Sequence, residues 1–294
     1  MRQSAGERMM EHLKTGLVLE GGAMRGMFTA GVLDVFMEHG VHFDGIMGVS
    51  AGAVFGPNFL SGQNGRVIRY NKRYNSDRDY MGLKPLLSTG NIVNTKYAYG
   101  TVPILLDPFD DEAFRASSVP FYAVLTNLRT GKPEYMQIHS VFAEMDVIRA
   151  SASLPFASRP VELNGEKYLD GGVADSIPFA AMKRMGYDRL TVILTRDSTY
   201  RKKPMNPALI RARYGRYPEF CKRLQERAEA YNRSVETLNL LEKQGEVFVI
   251  RPDQPIGIKR IETDPDKLQS VYDLGRRDGL ASLEKLNDYL NKAE

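Results

Sequence analysis

The 294 residues carry 40 Lys and Arg against 36 Asp and Glu, a net charge of +4, with 43% hydrophobic residues and a single cysteine. That composition excludes a disordered, fibrous or collagen-like chain and fits one large α/β domain or two small ones. The lone Cys221 excludes an intrachain disulfide and a cysteine-based zinc site. So small a positive excess does not identify a nucleic-acid binder, although it allows an anionic lipid surface.

Met1 to Lys14 holds two glutamates and no apolar core of signal-peptide length, so it reads as a short polar lead-in. Thr15 to Glu20 is an apolar run closed by Gly21-Gly22, the pattern of a buried strand. Met27, Ala30, Gly31, Val32, Leu33 and Phe36 then recur at helical spacing up to Glu38. Phe43 to Gly48 reads as a second strand, and Ala51 to Leu60 as a buried helix ending at Ser61-Gly62. So short an alternation implies a parallel sheet with right-handed crossovers. The most apolar longer stretch, 45–60, includes Pro57 and four glycines. It falls short of the ~20 residues of a spanning helix, so a cytoplasmic protein is expected, with peripheral membrane contact left open.

Residues 66–108 mix tyrosines, charges and short apolar clusters, and read as small helices and loops over one end of the sheet, either an insertion or a functional cap. Phe121 to Thr126 and Pro133 to Ile138 flank Arg129-Thr-Gly-Lys132 as a hairpin pair. Val141 to Ser151 reads as helical. Arg159 to Leu163 and Glu166 to Asp170 flank Asn164-Gly165, the strongest short hairpin signal in the chain. Ser176 with Pro178 opens a helix to about Met185. Arg189 to Thr195 and Glu246 to Arg251 read as strands on either side of a long amphipathic helix from Tyr217 to Leu241. A last helix is expected from Pro265 to Asn291. No repeat or linker divides the chain, so one domain over 1–294 is expected, with a motif-bearing core at about 15–195 and an extension at about 196–294.

Gly48-Val49-Ser50-Ala51-Gly52 matches G-x-S-x-G between a predicted strand and a predicted helix. A serine on so tight a turn is forced outward, and the following helix N-terminus offers free N–H groups to a developing oxyanion. Only His139 follows Ser50, and 155 residues then remain without a histidine. His39 and His42 precede Ser50 closely, at a helix end and a turn, and His12 is in the lead-in. The order Ser, acid, His of α/β-hydrolases is therefore missing. Asp170, followed by Gly171-Gly172, is the best alternative base, although Asp-Gly-Gly by itself is commonly a turn. Between the first strand and helix lies Glu20-Gly21-Gly22-Ala23-Met24-Arg25-Gly26. It fails the dinucleotide and Walker patterns, and reads either as a plain βα turn or as an oxyanion loop beside Ser50, with Arg25 pinning the loop or meeting an anionic headgroup.

A glycine-rich loop after the first strand, a serine elbow after the second and a distant Asp-Gly-Gly together resemble the patatin-like phospholipase family. Ala150-Ser-Ala-Ser-Leu-Pro155 resembles the family's stretch before the aspartate, and the likeness spans about residues 15–195. The resemblance implies an α/β three-layer sandwich with a mostly parallel central sheet and helices on both faces. It also implies a Ser50–Asp170 dyad, an oxyanion hole from Gly21 to Met24, hydrolysis of lipid acyl esters, and no metal or other cofactor. Ala23 departs from a usual glycine, which matters only where positive φ is required. A thioesterase or small-ester esterase with the same dyad, and a non-catalytic lipid- or nucleotide-binding module, stay open as alternatives.

From Arg196 to Arg233 eleven basic residues face four acids, with Tyr200, Tyr214 and Tyr217 among them. That tract reads as a solvated helix face or as contact with anionic headgroups. No nucleic-acid recognition motif accompanies it.

Overall fold

The structure is a computed structural model that describes residues 13–292. The lead-in up to His12 lies outside the described residues. Eight strands form one sheet: β1 (Thr15–Leu19), β2 (Gly45–Val49), β3 (Phe121–Asn127), β4 (Pro133–Ile138), β5 (Val161–Leu163), β6 (Glu166–Asp170), β7 (Arg189–Ile193) and β8 (Val247–Ile250). The central order β3-β2-β1-β7-β8 is parallel throughout, and β4, β6 and β5 add antiparallel pairings at one side. Of the helices, α1 is Met27–Glu38, α2 Ala51–Phe55, α3 Pro57–Leu60, α4 Arg66–Tyr74, α5 Leu83–Thr89 and α6 Asp111–Ala116. They continue as α7 (Met145–Ser151), α8 (Phe179–Arg184), α9 (Pro207–Tyr214), α10 (Pro218–Lys243) and α11 (Pro265–Asn291), with a π-helical segment at Tyr97–Leu106.

Strand periodicity divides the core. Leu17 and Leu19 of β1 point to one face, where they join Phe28, Val32 and Phe36 of α1 and Leu268 and Tyr272 of α11. Val18, between them, points to the other, where it meets Ala181 and Met182 of α8 and Val235 and Leu238 of α10. The sheet is thus covered by helices on both faces, and the extension beyond residue 196 supplies a helix to each.

The topology at β3 positions the site. β2 pairs with β3 from Ile46↔Phe121 to Val49↔Val124, while β4 occupies the opposite edge. β6 then pairs antiparallel with Leu125 to Asn127, and since β4 still covers the other edge there, β6 lies on the edge that β2 has just left. β2 and β6 therefore run toward each other along one edge of β3, and their C-terminal ends meet.

Several local expectations change in detail. The helix expected over 51–60 divides at Gly56-Pro57, because Pro57 has no N–H for the ladder and starts α3 instead. The helix expected from Val141 begins only at Met145, since the Asp111 carboxylate accepts from Val141 N–H (2.6 Å) and holds that segment in a turn. The helix opened by Ser176 and Pro178 starts at Phe179, with Pro178 as its N-cap. Helix α9 was not anticipated, although Asn206-Pro207 carries its signal: Asn206 accepts from Ala208 N–H (2.9 Å), and Pro207 takes the first helical turn.

Candidate active site

Ser50 stands between β2 and α2 with φ +54° and ψ −117°. A non-glycine residue there costs about 1–3 kcal/mol, and such strain persists only where the surroundings impose it. They do: a Cβ on Gly52 would lie 2.4 Å from the Leu19 carbonyl oxygen, so β1 and α2 touch backbone to backbone beneath the elbow. Ser50 N–H donates to Ser151 Oγ (3.0 Å), which ties the elbow to α7.

Asp170 ends β6 where that strand meets β2, and is 1% exposed. Its Oδ1 accepts from Gly172 N–H (2.8 Å), while Oδ2 is buried without a hydrogen-bond partner among the described residues. Burial pushes the carboxyl above the ordinary aspartate value. The Arg227 guanidinium, the Ser50 hydroxyl, Gly172 N–H and Lys202 oppose that shift. The Thr126 hydroxyl donates to the Asp170 carbonyl (2.9 Å) and accepts from Ala174 N–H (3.2 Å), so β3 holds the strand end in place.

The glycine-rich loop lies against both. A Cβ on Gly21 would meet Ser50 Cβ at 2.8 Å and the Val49 carbonyl oxygen at 2.9 Å. The N–H groups of Gly21, Gly22 and Ala23 have no acceptor among the described residues, whereas Met24 N–H donates to the Arg260 carbonyl (3.3 Å). Ala23 sits at φ +49°, so the positive φ that a glycine would supply is required here and an alanine adopts it. Glu20 anchors the loop from below, accepting from Thr195 N–H (2.7 Å) and the Tyr231 hydroxyl (2.8 Å).

Two cavities meet at Ser50. One, of about 150 Å³, is mostly apolar and runs under the 66–108 segment, with Met24, Phe55, Tyr80, Met81, Val93 and Tyr99 on its walls. The other, of about 60 Å³, holds Glu20 and Asp170 among Arg25, Arg196, Lys202, Arg227 and Arg260. Ala23, Ser50, Leu154 and Arg260 line both. The 66–108 segment is thus a roof over the apolar cavity. His39, His42 and His139 are exposed, and none lines either cavity.

The basic tract divides. Arg196, Lys202 and Arg227 turn into the second cavity, while Arg201, Lys203, Arg211, Arg213, Arg216, Lys222 and Arg233 are exposed. Sequence reasoning missed Arg260, which lies in a patternless loop, and the pairing of Ser151 with Ser50 N–H, whose signal was the Ala150–Pro155 stretch already singled out.

A family model described as patatin-like phospholipase matches residues 17–183, and a second, described as a domain of unknown function (DUF6363), matches 217–291. The uncharacterized protein YjjU of Escherichia coli is 34% identical over 186 residues, covering 62% of this chain and 52% of YjjU. An uncharacterized NTE family protein of Mycobacterium tuberculosis is 29% identical over 182 residues, 62% of this chain and 49% of that protein. The lysophospholipase NTE1 of Candida glabrata is 28% identical over 195 residues, 63% of this chain and 11% of that enzyme. The chain spans about half the length of the two bacterial relatives and a ninth of the yeast one.

Proposed function

The chain belongs to the patatin-like phospholipase family, and we propose that it hydrolyses lipid acyl esters of the lysophospholipid kind with Ser50 as nucleophile and Asp170 as base. The observation that carries this reading is the head-on meeting of β2 and β6. It puts a strained serine beside a buried carboxylate whose Oδ2 has no hydrogen-bond partner among the described residues.

Asp170 takes the proton as Ser50 Oγ attacks the ester carbonyl, and returns it to the departing alcohol. A water molecule then attacks the acyl-enzyme, giving up its proton to Asp170. The carboxylic acid leaves and Ser50 is restored. The N–H groups of Gly21, Gly22 and Ala23 receive the oxyanion, where one such donor is worth about 2.7–4 kcal/mol. The raised carboxyl pKa makes Asp170 a better base than a solvated aspartate. The apolar cavity takes the acyl chain.

The exposed part of the basic tract fits the surface of an anionic bilayer, and exposed Leu83, Leu87 and Leu105 on the roof fit its interface. No described helix is long and apolar enough to cross a membrane. Ser50→Ala should abolish hydrolysis of a lysophospholipid and of a p-nitrophenyl ester while the thermal melt stays cooperative. Full turnover by that variant ends the assignment. Sedimentation with liposomes should increase with their anionic fraction, and indifference to that fraction overturns the membrane contact.

A further inference from the structure

We propose that the cationic pocket beside Ser50 is a subsite for a phosphate monoester carried on the leaving alcohol. The substrate class is then an acyl ester of a phosphorylated polyol, such as an acylglycerol phosphate. This rests on the hydrolase reading above and narrows it.

The pocket carries more positive charge than its own carboxylates offset. Arg25, Arg196, Lys202, Arg227 and Arg260 line it against two carboxylates. None of the five makes an ion pair within 4.0 Å among the described residues. Glu20 is committed to Thr195 and Tyr231, and Asp170 faces Ser50. Arg25 is 8% exposed, and its Nε has no hydrogen-bond partner among the described residues. Arg227 donates through Nε to the Gly172 carbonyl (2.6 Å), and Lys202 Nζ stands 4.0 Å from the centre of the Tyr231 ring. Arg25 is buried, Arg196, Lys202 and Arg227 are half-buried, and Arg260 is exposed. Guanidinium and ammonium groups drawn partly out of water without ion-pair partners are costly, so the cluster favours an anion that completes it. Burial, reinforced by the Arg196 charge and opposed by Glu20, holds Arg25 down to about 10, and burial beside Arg227, opposed by Glu20 and Asp170, pulls Lys202 well down. The cavity, at about 60 Å³, is several times the ~10–15 Å³ that one water needs.

Its position assigns the anion to the alcohol side of the ester. Asp170 lines the cationic pocket and not the apolar cavity. The oxygen that receives the proton from Asp170 is the leaving oxygen, so the alcohol points into the cationic pocket while the acyl chain occupies the other. Stabilising Asp170 as an anion does not require five cations. Arg196, Lys202, Arg227 and Arg260 all lie beyond the residues matched by the patatin-like family model, and Arg227 and Arg260 fall within the second matched stretch. Four of the five cations therefore come from the C-terminal extension, and Arg25 from the core.

The test compares esters of one acyl chain: an acylglycerol phosphate, the matching acylglycerophosphocholine and the matching monoacylglycerol. The wild-type chain should show kcat/KM for the phosphate monoester about 10–100-fold above that for the neutral ester, the effect of one charge-assisted hydrogen bond or more. Lys202→Met and Arg196→Gln should each bring that ratio toward one, and Lys202→Arg should retain it. Reading a ratio removes any general loss of activity, and two sites guard against one variant failing to fold. Equal rates on all three esters overturn the subsite and leave the hydrolase standing. No hydrolysis of any ester overturns the hydrolase reading, and with it the substrate class. Inorganic phosphate that raises Tm in the wild type but leaves the ester ratio at one also overturns the proposal, because the pocket then holds free phosphate and not a substrate group.

Discussion

Ala23 and Asp170 show how much of the site rests on single backbone and charge choices. An L-residue in the left-handed region costs about 1–2 kcal/mol, whereas glycine there carries no such cost but more unfolded-state entropy. Ala23→Gly should therefore hold or raise stability by up to about 1 kcal/mol with activity intact, and Ala23→Val should lower both, as denaturant melts and ester turnover will show. Asp170 binds its proton more tightly folded than unfolded. It therefore costs nothing below the unfolded pKa and costs stability as pH rises through the raised folded value. Asp170→Asn should raise Tm at pH 7 while lowering kcat/KM by about 10²–10⁴-fold. The acid limb of the wild-type pH–rate profile should lie above the ~3.9 of a free aspartate and vanish in that variant. Ser50, Asp170 and the loop were legible in sequence because each is a short run with a fixed local geometry. Arg260, and the inward turn of Lys202 and Arg227, were not, because a charged residue in a run does not say which neighbour it will face after folding.

Among elements, β3 does most to assemble the site, since it is the splint along which β2 and β6 meet. Thr126 is fully buried and ties the end of β6 through its hydroxyl. Thr126→Val removes the hydroxyl bonds to the Asp170 carbonyl and Ala174 N–H, although Ala174 N–H keeps the Gly171 carbonyl (3.1 Å), so it should cost about 0.5–1.5 kcal/mol of stability and free the strand end that carries Asp170. The expected kinetic signature is a lower kcat with KM nearly unchanged. The hairpin of β5 and β6 was legible because Asn164 and Gly165 supply two successive positive φ angles, +50° and +81°. Helix α11 was legible to its ends because its apolar stripe is long and Asp264 caps it, accepting from Asp266 and Lys267 N–H. The meeting of β2 with β6 was not legible, because it depends on the register of two strands against a third.

At the scale of the molecule, α11 and α1 cross with their backbones in contact: a Cβ on Gly275 would lie 2.0 Å from the Phe28 carbonyl oxygen, and one on Gly31 2.2 Å from that of Tyr272. Gly31 lies in the stretch matched by the patatin-like family model and Gly275 in the second stretch. We infer that the extension and the core unfold together as one unit. Gly275→Val should lower Tm sharply while keeping a single calorimetric transition, since overpacking costs about 1–3 kcal/mol or more. Two separate transitions in the wild type contradict a single unit. The extension then has two roles, supplying a helix to each face of the sheet and carrying cations to the pocket beside Ser50. All of this turns on Ser50 being the nucleophile, and covalent labelling tests that most directly. A fluorophosphonate probe followed by peptide mass spectrometry should find one adduct, on Ser50, formed more slowly in Asp170→Asn and absent in Ser50→Ala. An adduct on another residue, or undiminished labelling of Ser50→Ala, contradicts it.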